Sequence, residues 1–232
     1  MHIPDGFINA PTSLAAGAVA AGGVGVSLRR AAQTLQERQA PLAGLVAAYI
    51  FAVQMLNFPV AAGTSGHLLG GALAAVLVGP WAGALCVSVV LLVQALFADG
   101  GLSALGLNII NMALVTAWGG YASFLLLRRA LPATKTAVTV SAGVAAGISV
   151  VLASLAFVVE YAIGGNGGAP VGTVFAAMVG VHTLIGIGEG IITALTVGVV
   201  LGVRPDLVYG AADLQKPLVL KTSSGDTVEE VR

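Results

Sequence analysis

The feature that most constrains this chain is the run from Leu68 to Phe97, 30 residues without a charged side chain, interrupted midway by Gly79-Pro80. Crossing the hydrocarbon core of a bilayer takes about 20 apolar residues in a helix. The run is too long for one straight span, and a proline there removes a backbone donor and clashes with the preceding turn. A break at Gly79-Pro80 is therefore expected. Further apolar segments run over 13–28, 41–62, 102–127, 136–163 and 171–203. Only 9% of the residues are charged, against about 25% in a soluble domain, so the chain lacks the polar surface to face water on all sides. The fold class expected is an all-α polytopic membrane protein.

Positive charge decides between one helix and two in the long run. The ten basic residues are Arg29, Arg30, Arg38, Arg128, Arg129, Lys135, Arg204, Lys216, Lys221 and Arg232. Two helices give seven transmembrane helices and put all ten on one side. One helix sends Arg128, Arg129 and Lys135 to the side opposite Arg29 and Arg30. Basic residues favour the cytoplasmic face, so seven spans are expected, with the N-terminus outside and the C-terminus cytoplasmic. Residues 1–203 read as a single membrane domain opening with a metal-chelating segment, 1–12, and 204–232 as a polar, solvated cytoplasmic tail. No Lys or Arg occurs in residues 1–12, so the N-terminus carries no expected leader to be removed.

The topology has a local consequence. Leu68 to Gly79 makes only about 18 Å of helix, too short to join the two interfaces. Gly63-Thr64-Ser65-Gly66-His67 must dip into the membrane from outside, and irregular backbone at that depth is tolerated only within protein or beside a polar cavity. His67 thus lies at a cavity. The other two histidines, His2 and His182, are placed outside and in the outer half of the last span, so all three can converge. Asp5 and Asp99 lie outside with no basic neighbour, an arrangement that favours an incoming cation.

Met1-His2 then acquires a chemical reading. A terminal amine, the next peptide nitrogen and the Nδ1 of a histidine at position 2 close a five- and a six-membered chelate ring on one ion. Three corners of a square are filled and the fourth is open to another imidazole, for which His67 is the natural candidate. All-nitrogen tetragonal geometry suits Ni(II) or Cu(II), and imidazole sites also take Co(II). Binding releases protons and weakens as pH falls. Pro4-Asp5-Gly6 favours a tight turn that returns the terminus to the protein. The bland alternatives are a solvated terminus, a loop histidine bonded to a carbonyl at 67, and helix packing for His182. Glu189 follows His182 by one heptad and is as suited to packing as to a supporting role at the site. Asp5, Asn57, Ser65, Asn108 and Asn111 are assigned to the same supporting shell. Cys86, the single cysteine, reads as packing, and neutral net charge without a basic run leaves no footprint for nucleic acid.

Four stretches carry a family resemblance: MHIPDGF at 1–7, QMLNFPVAAGTSGHLLGG at 54–71, DGGLSALGLNIINMA at 99–113 and VHTLIGIGEGIIT at 181–193. They resemble the CbiM/NikM family, the substrate-binding S components of energy-coupling factor (ECF) transporters for cobalt and nickel. The resemblance runs from Met1 to about Val203. It implies seven helices, with Met1 and His2 plugging the pocket from outside and coordinating the metal together with His67. It implies a Co(II) or Ni(II) substrate, with cobalt narrowly preferred, no catalytic cofactor and a place in a prokaryotic cytoplasmic membrane. Its partners would be a transmembrane coupling subunit, two ATP-binding subunits and, in some assemblies, a small auxiliary membrane subunit. The chain has no phosphate-binding G-x-x-x-x-G-K-[ST], so no ATPase activity of its own is expected.

Two other functions compete. Gly63-Thr64-Ser65-Gly66 matches the G-x-S-G of rhomboid intramembrane proteases, with His182 as a base. A channel subunit would line a continuous polar path, whereas here the polar groups gather at the outer end. Small residues four apart, Ala16/Ala20, Gly17/Ala21 and Gly186/Gly190, suit close helix contact either with a partner or within the chain.

Overall fold

In the computed structural model the structure describes residues 1–34, 40–56, 58–59, 65–215, 220–221 and 227–228. Seven helices follow one another among the described residues: α1 (Ala10–Thr34), α2 (Ala40–Gln54), α3 (Gly71–Val78), α4 (Pro80–Leu96), α5 (Leu105–Ala130), α6 (Lys135–Gly164) and α7 (Val171–Val203). The long apolar run is indeed divided at Gly79, and Pro80 occupies the first turn of α4, where its missing N–H costs nothing and its fixed φ suits the helix. Of the seven, α1, α5, α6 and α7 are long and apolar enough to cross a membrane, while α2 and α4 are shorter apolar helices.

The exterior explains the composition. Leu14, Leu45, Leu184, Leu195 and Val199 are all largely exposed, an arrangement stable only against an apolar solvent. The interior is built on α3, whose eight residues are all buried. At about 12 Å of helix, α3 reaches only part of the way through the bundle. Strands β1 (Phe58–Pro59) and β2 (Ser65–Gly66) pair antiparallel ahead of it, with Phe58 opposite Gly66. Residues 67–70 connect β2 to α3 as irregular chain, buried as far as Leu69. Of the dipping segment expected from the sequence, Ser65 to His67 lead into this chain, while Gly63 and Thr64 lie outside the described residues.

Helices α6 and α7 form the most extensive pairing in the molecule. A Cβ on Gly143 would meet Gly190 O at 2.7 Å, and one on Gly186 would meet Gly147 O at 2.9 Å. The small-residue spacing in α7 thus serves intramolecular packing, as does Gly17, whose backbone lies where a Cβ on Gly106 would fall. In α5, residues Ile110–Gly119 are wound as π-helix.

The tail differs from expectation. Pro205–Leu207 and Tyr209–Leu214 form two 3₁₀ turns, with Val208 and Ala211 fully buried. The Tyr209 ring lies 5.8 Å from that of Tyr121, and Asp213 accepts from Arg128 at 2.7 Å. Folded structure continues past Val203 to Gln215, because the apolar Val208, Tyr209 and Ala211 cap the far end of α3 and α5. Reading polarity alone placed that boundary too early.

Candidate metal centre

The N-terminal segment is the most elaborately tethered part of the chain. Pro4 to Phe7 turns back on itself with Phe7 N–H donating to Pro4 O at 3.3 Å, and Gly6 sits at φ 75°, a left-handed conformation that glycine adopts freely. Asp5 Oδ1 accepts from the backbone N–H and hydroxyl of Ser103 at 2.8 and 2.6 Å, and those bonds hold its carboxyl below the usual carboxylate range. On the other side Asn9 N–H donates to Gly164 O at 2.7 Å and Asn166 N–H to Phe7 O at 2.9 Å. The Phe7 ring packs 5.5 Å from that of Tyr161.

Held in this way, Met1 and Ile3 are fully buried and His2 is 5% exposed. Asn108 acts on Ile3 as a peptide group would. Its Oδ1 accepts from Ile3 N–H at 2.8 Å, and its Nδ2 donates to Ile3 O at 3.2 Å. Gly101 N–H also donates to Ile3 O, at 2.9 Å. A Cβ on Gly101 would fall 2.4 Å from Asp5 N, so only glycine lets the 99–101 loop lie against the terminus. Burial pushes the Met1 amine down to about 4, a shift partly opposed by the Asp99 carboxylate. Above that pH the amine is neutral and carries a lone pair.

The His2 and His67 rings lie with centroids 4.5 Å apart. His67 is fully buried and is positioned by a second set of bonds. Glu189 Oε2 and Oε1 accept from the N–H groups of Leu69 and Gly70 at 2.5 and 2.9 Å, and Gln54 Nε2 donates to Leu69 O at 2.7 Å. Glu189, expected in the supporting shell or in packing, thus bonds the backbone of the loop that carries His67.

Each of the three histidines is tied at Nδ1. His2 Nδ1 donates to Asp99 at 2.8 Å, His67 Nδ1 to Leu68 O at 2.7 Å and His182 Nδ1 to Met178 O at 2.7 Å. A carboxylate or carbonyl only accepts, so in every case a proton is on Nδ1, and a neutral ring keeps its lone pair on Nε2. All three Nε2 atoms are buried without a hydrogen-bond partner among the described residues. Imidazoles that bind metal are commonly oriented in this way through their other nitrogen. His2 departs from the chelate argued from the sequence, which uses its Nδ1. That nitrogen faces Asp99, a residue the sequence marked only as an outer acid. The His2 hydrogen bond keeps the Asp99 carboxyl below its ordinary range.

Of the other predicted residues, Asn111 donates to Glu160 at 2.6 Å and joins α5 to α6 rather than touching the terminus. Asn57 and the Ser65 side chain lie outside the described residues. Cys86 packs between α4 and α2, with its thiol on Ala43 O at 3.4 Å. Gly101, Ser103 and Asn166 are additions to the sequence reading, which took Asp99 only as an outer acid. The Asp-Gly-Gly at 99–101, directly between two apolar runs, was the available signal.

Comparison with known proteins sets the chain among metal transport proteins. A protein of Haloquadratum walsbyi named for metal transport is 41% identical over 90% of this chain and 94% of its own length. The cobalt transport protein CbiM of Sorangium cellulosum is 38% identical over 72% of this chain and 76% of its own. The fused nickel transport protein NikMN of Rhodobacter capsulatus is 37% identical, and the match spans 47% of that longer protein. The crystal structure of a transition metal transporter superposes with a TM-score of 0.80 at 28% identity, covering 93% of this chain and all of that one. The fold is that of a membrane metal transporter. The family described as CbiM, cobalt uptake substrate-specific transmembrane region, matches residues 2–207, and the chain belongs to that family of cobalt and nickel transport proteins.

Proposed function

We propose that this protein is the substrate-capture subunit of an ECF-type transporter for Co(II) or Ni(II), with cobalt the first ion to test. The single observation that carries the reading is the buried N-terminus, with Met1 wholly enclosed and the His2 ring 4.5 Å from that of His67. The Met1 amine, the His2 peptide nitrogen and imidazole, and the His67 imidazole supply four nitrogens. Tetragonal nitrogen donors suit both ions. For His2 to bind through Nδ1 its ring must exchange Asp99 for the ion, so Asp99 acts as the stand-in partner that keeps the ring buried beforehand. In this reading the seven-helix bundle sits in a prokaryotic cytoplasmic membrane, α3 completing its passage only with the irregular chain ahead of it, with Met1 outside and Gln215 inside. The coupling subunit, two ATP-binding subunits and, where present, the auxiliary membrane subunit supply the energy; this chain supplies none.

Family membership favours transport over the serine protease and the open channel. Ser65→Ala is expected to leave metal affinity intact, and the isolated protein in liposomes to show no metal conductance. The decisive test adds one residue ahead of Met1, leaving every side chain in place while moving the free amine away from His2. Co(II) and Ni(II) binding to the purified protein, measured by calorimetry, should collapse. Undiminished affinity would refute the amine chelate.

A further inference from the structure

Behind the loop that carries His67, a cavity of about 10 Å³ lies where α2, α7 and the start of α3 meet. Gln54, Leu68, Gly70, Glu189 and Thr193 are on its wall. A space of that size admits about one water, provided that two to four polar groups face it. Gln54 is fully buried, Thr193 is 1% exposed and Glu189 2%. Gln54 Oε1 and Thr193 Oγ1 have no hydrogen-bond partner among the described residues, an uncommon state for buried polar atoms.

Thr193 departs from the habit of the other helical hydroxyls. Ser88, Thr116 and Thr183 each donate to the carbonyl four residues earlier, at 2.7, 2.6 and 2.7 Å. Thr193 makes no such bond, although it follows Glu189 by four residues and so shares its face of α7. Gln54 uses only its Nε2, on Leu69 O at 2.7 Å. The Glu189 oxygens take Leu69 and Gly70 N–H, and each carboxylate oxygen keeps capacity for a second bond. The cavity is therefore walled by two acceptors and one hydroxyl. A single water, with two protons to donate and lone pairs to accept the hydroxyl, meets all three.

We propose that this cavity holds one ordered water bridging Gln54 Oε1, Thr193 Oγ1 and the Glu189 carboxylate, which makes Gln54 and Thr193 positioning residues for the loop that carries His67. Leu69 is gripped from two sides, its O by Gln54 on α2 and its N–H by Glu189 on α7. Without a bridge the two grips act separately. A water between them joins α2, α7 and the loop into one polar network, and such a bridge is nearly as favourable in enthalpy as a direct hydrogen bond. Tyr49 OH and Thr196 Oγ1, 3.4 Å apart, join the same two helices about one turn further along α7. The water stands on this geometry alone; its effect on metal affinity rests on the capture reading.

The test sets two substitutions at Thr193 against each other in the full chain. Valine keeps the shape of threonine with a methyl in place of the hydroxyl, whereas serine keeps the hydroxyl and drops the methyl. If the residue only packs, Thr193→Val behaves as the parent and Thr193→Ser suffers. A bridging water reverses that order. Losing one net hydrogen bond is worth a factor of about two to ten, so Thr193→Val should weaken Co(II) binding in calorimetry by about that factor, and Thr193→Ser should restore most of it. Should Thr193→Val not fold, Thr193→Ala takes its place, since it differs from Thr193→Ser only by the hydroxyl. A crystal structure of the parent should show one density peak within hydrogen-bond distance of all three side chains, missing from the variant without the hydroxyl. No such peak overturns the water, as does a peak that gains anomalous signal when rubidium replaces sodium, the mark of a bound cation. Parental affinity in Thr193→Val overturns the positioning role. A parent that binds no Co(II) refutes the capture reading instead, while the density still decides the water.

Discussion

Replacing Glu189 by Gln alters one atom and removes a charge at a point some distance from any proposed ligand. In the protein as it stands both carboxylate oxygens accept, from Leu69 and Gly70 N–H. A glutamine has one oxygen, so one of those N–H groups would face a second donor, while the other keeps a neutral acceptor. Losing a hydrogen bond to a charged acceptor costs about 1.5–3 kcal/mol. Gln54 still holds Leu69 O, so the loop loosens at its N–H side without dissolving. If about 2 kcal/mol of loop ordering is lost, the population with His67 correctly placed falls by at most about 30-fold, and apparent affinity falls with it. Outer-shell substitutions at metal sites lower affinity by about 10- to 100-fold, which brackets the same range. Calorimetric titration of Co(II) into purified Glu189→Gln should therefore show a 10- to 30-fold weaker site in a folded protein. A variant that loses stability yet binds within twofold of the original would refute the claim that Glu189 acts on the metal through His67.

Four further substitutions probe separate parts of the structure. Asn108→Ala deletes both bonds to Ile3 and should weaken Co(II) binding about tenfold, as expected for loss of a supporting neighbour, while speeding hydrogen exchange at Ile3; exchange as slow as in the parent would refute the tether. Gly143→Val places a side chain against Gly190 O and should cost about 1–3 kcal/mol as overpacking, read as a fall in melting temperature; an unchanged melting temperature would show that the α6–α7 contact yields freely. Arg128→Ala breaks a pair whose Asp213 partner is half exposed, so it should cost less than about 1 kcal/mol, and Tyr209→Ala should be the more damaging of the two. The reverse order in thermal unfolding would mean that the ion pair, rather than apolar capping, seats residues 205–214.

The sequence by itself determined what depends on composition and spacing. Scarcity of charge required apolar surroundings, Gly79-Pro80 required a break, and the short helix before it required chain to enter the bundle at His67. Position 2 allowed a chelate through the covalent geometry of the chain, independent of any fold. Spacing along a helix also placed Glu189 one heptad beyond His182. Tertiary structure alone decided what depends on distant partners. It set His2 Nδ1 on Asp99, made Asn108 a surrogate peptide for Ile3, and assigned Asn111 to Glu160 instead of the site. It also folded residues 205–214 against the bundle, because three small or apolar contacts outweigh a polar average. A side chain's neighbours along the sequence show what it can donate or accept. Which nitrogen stays bare is fixed only when residues a hundred positions apart take the other one.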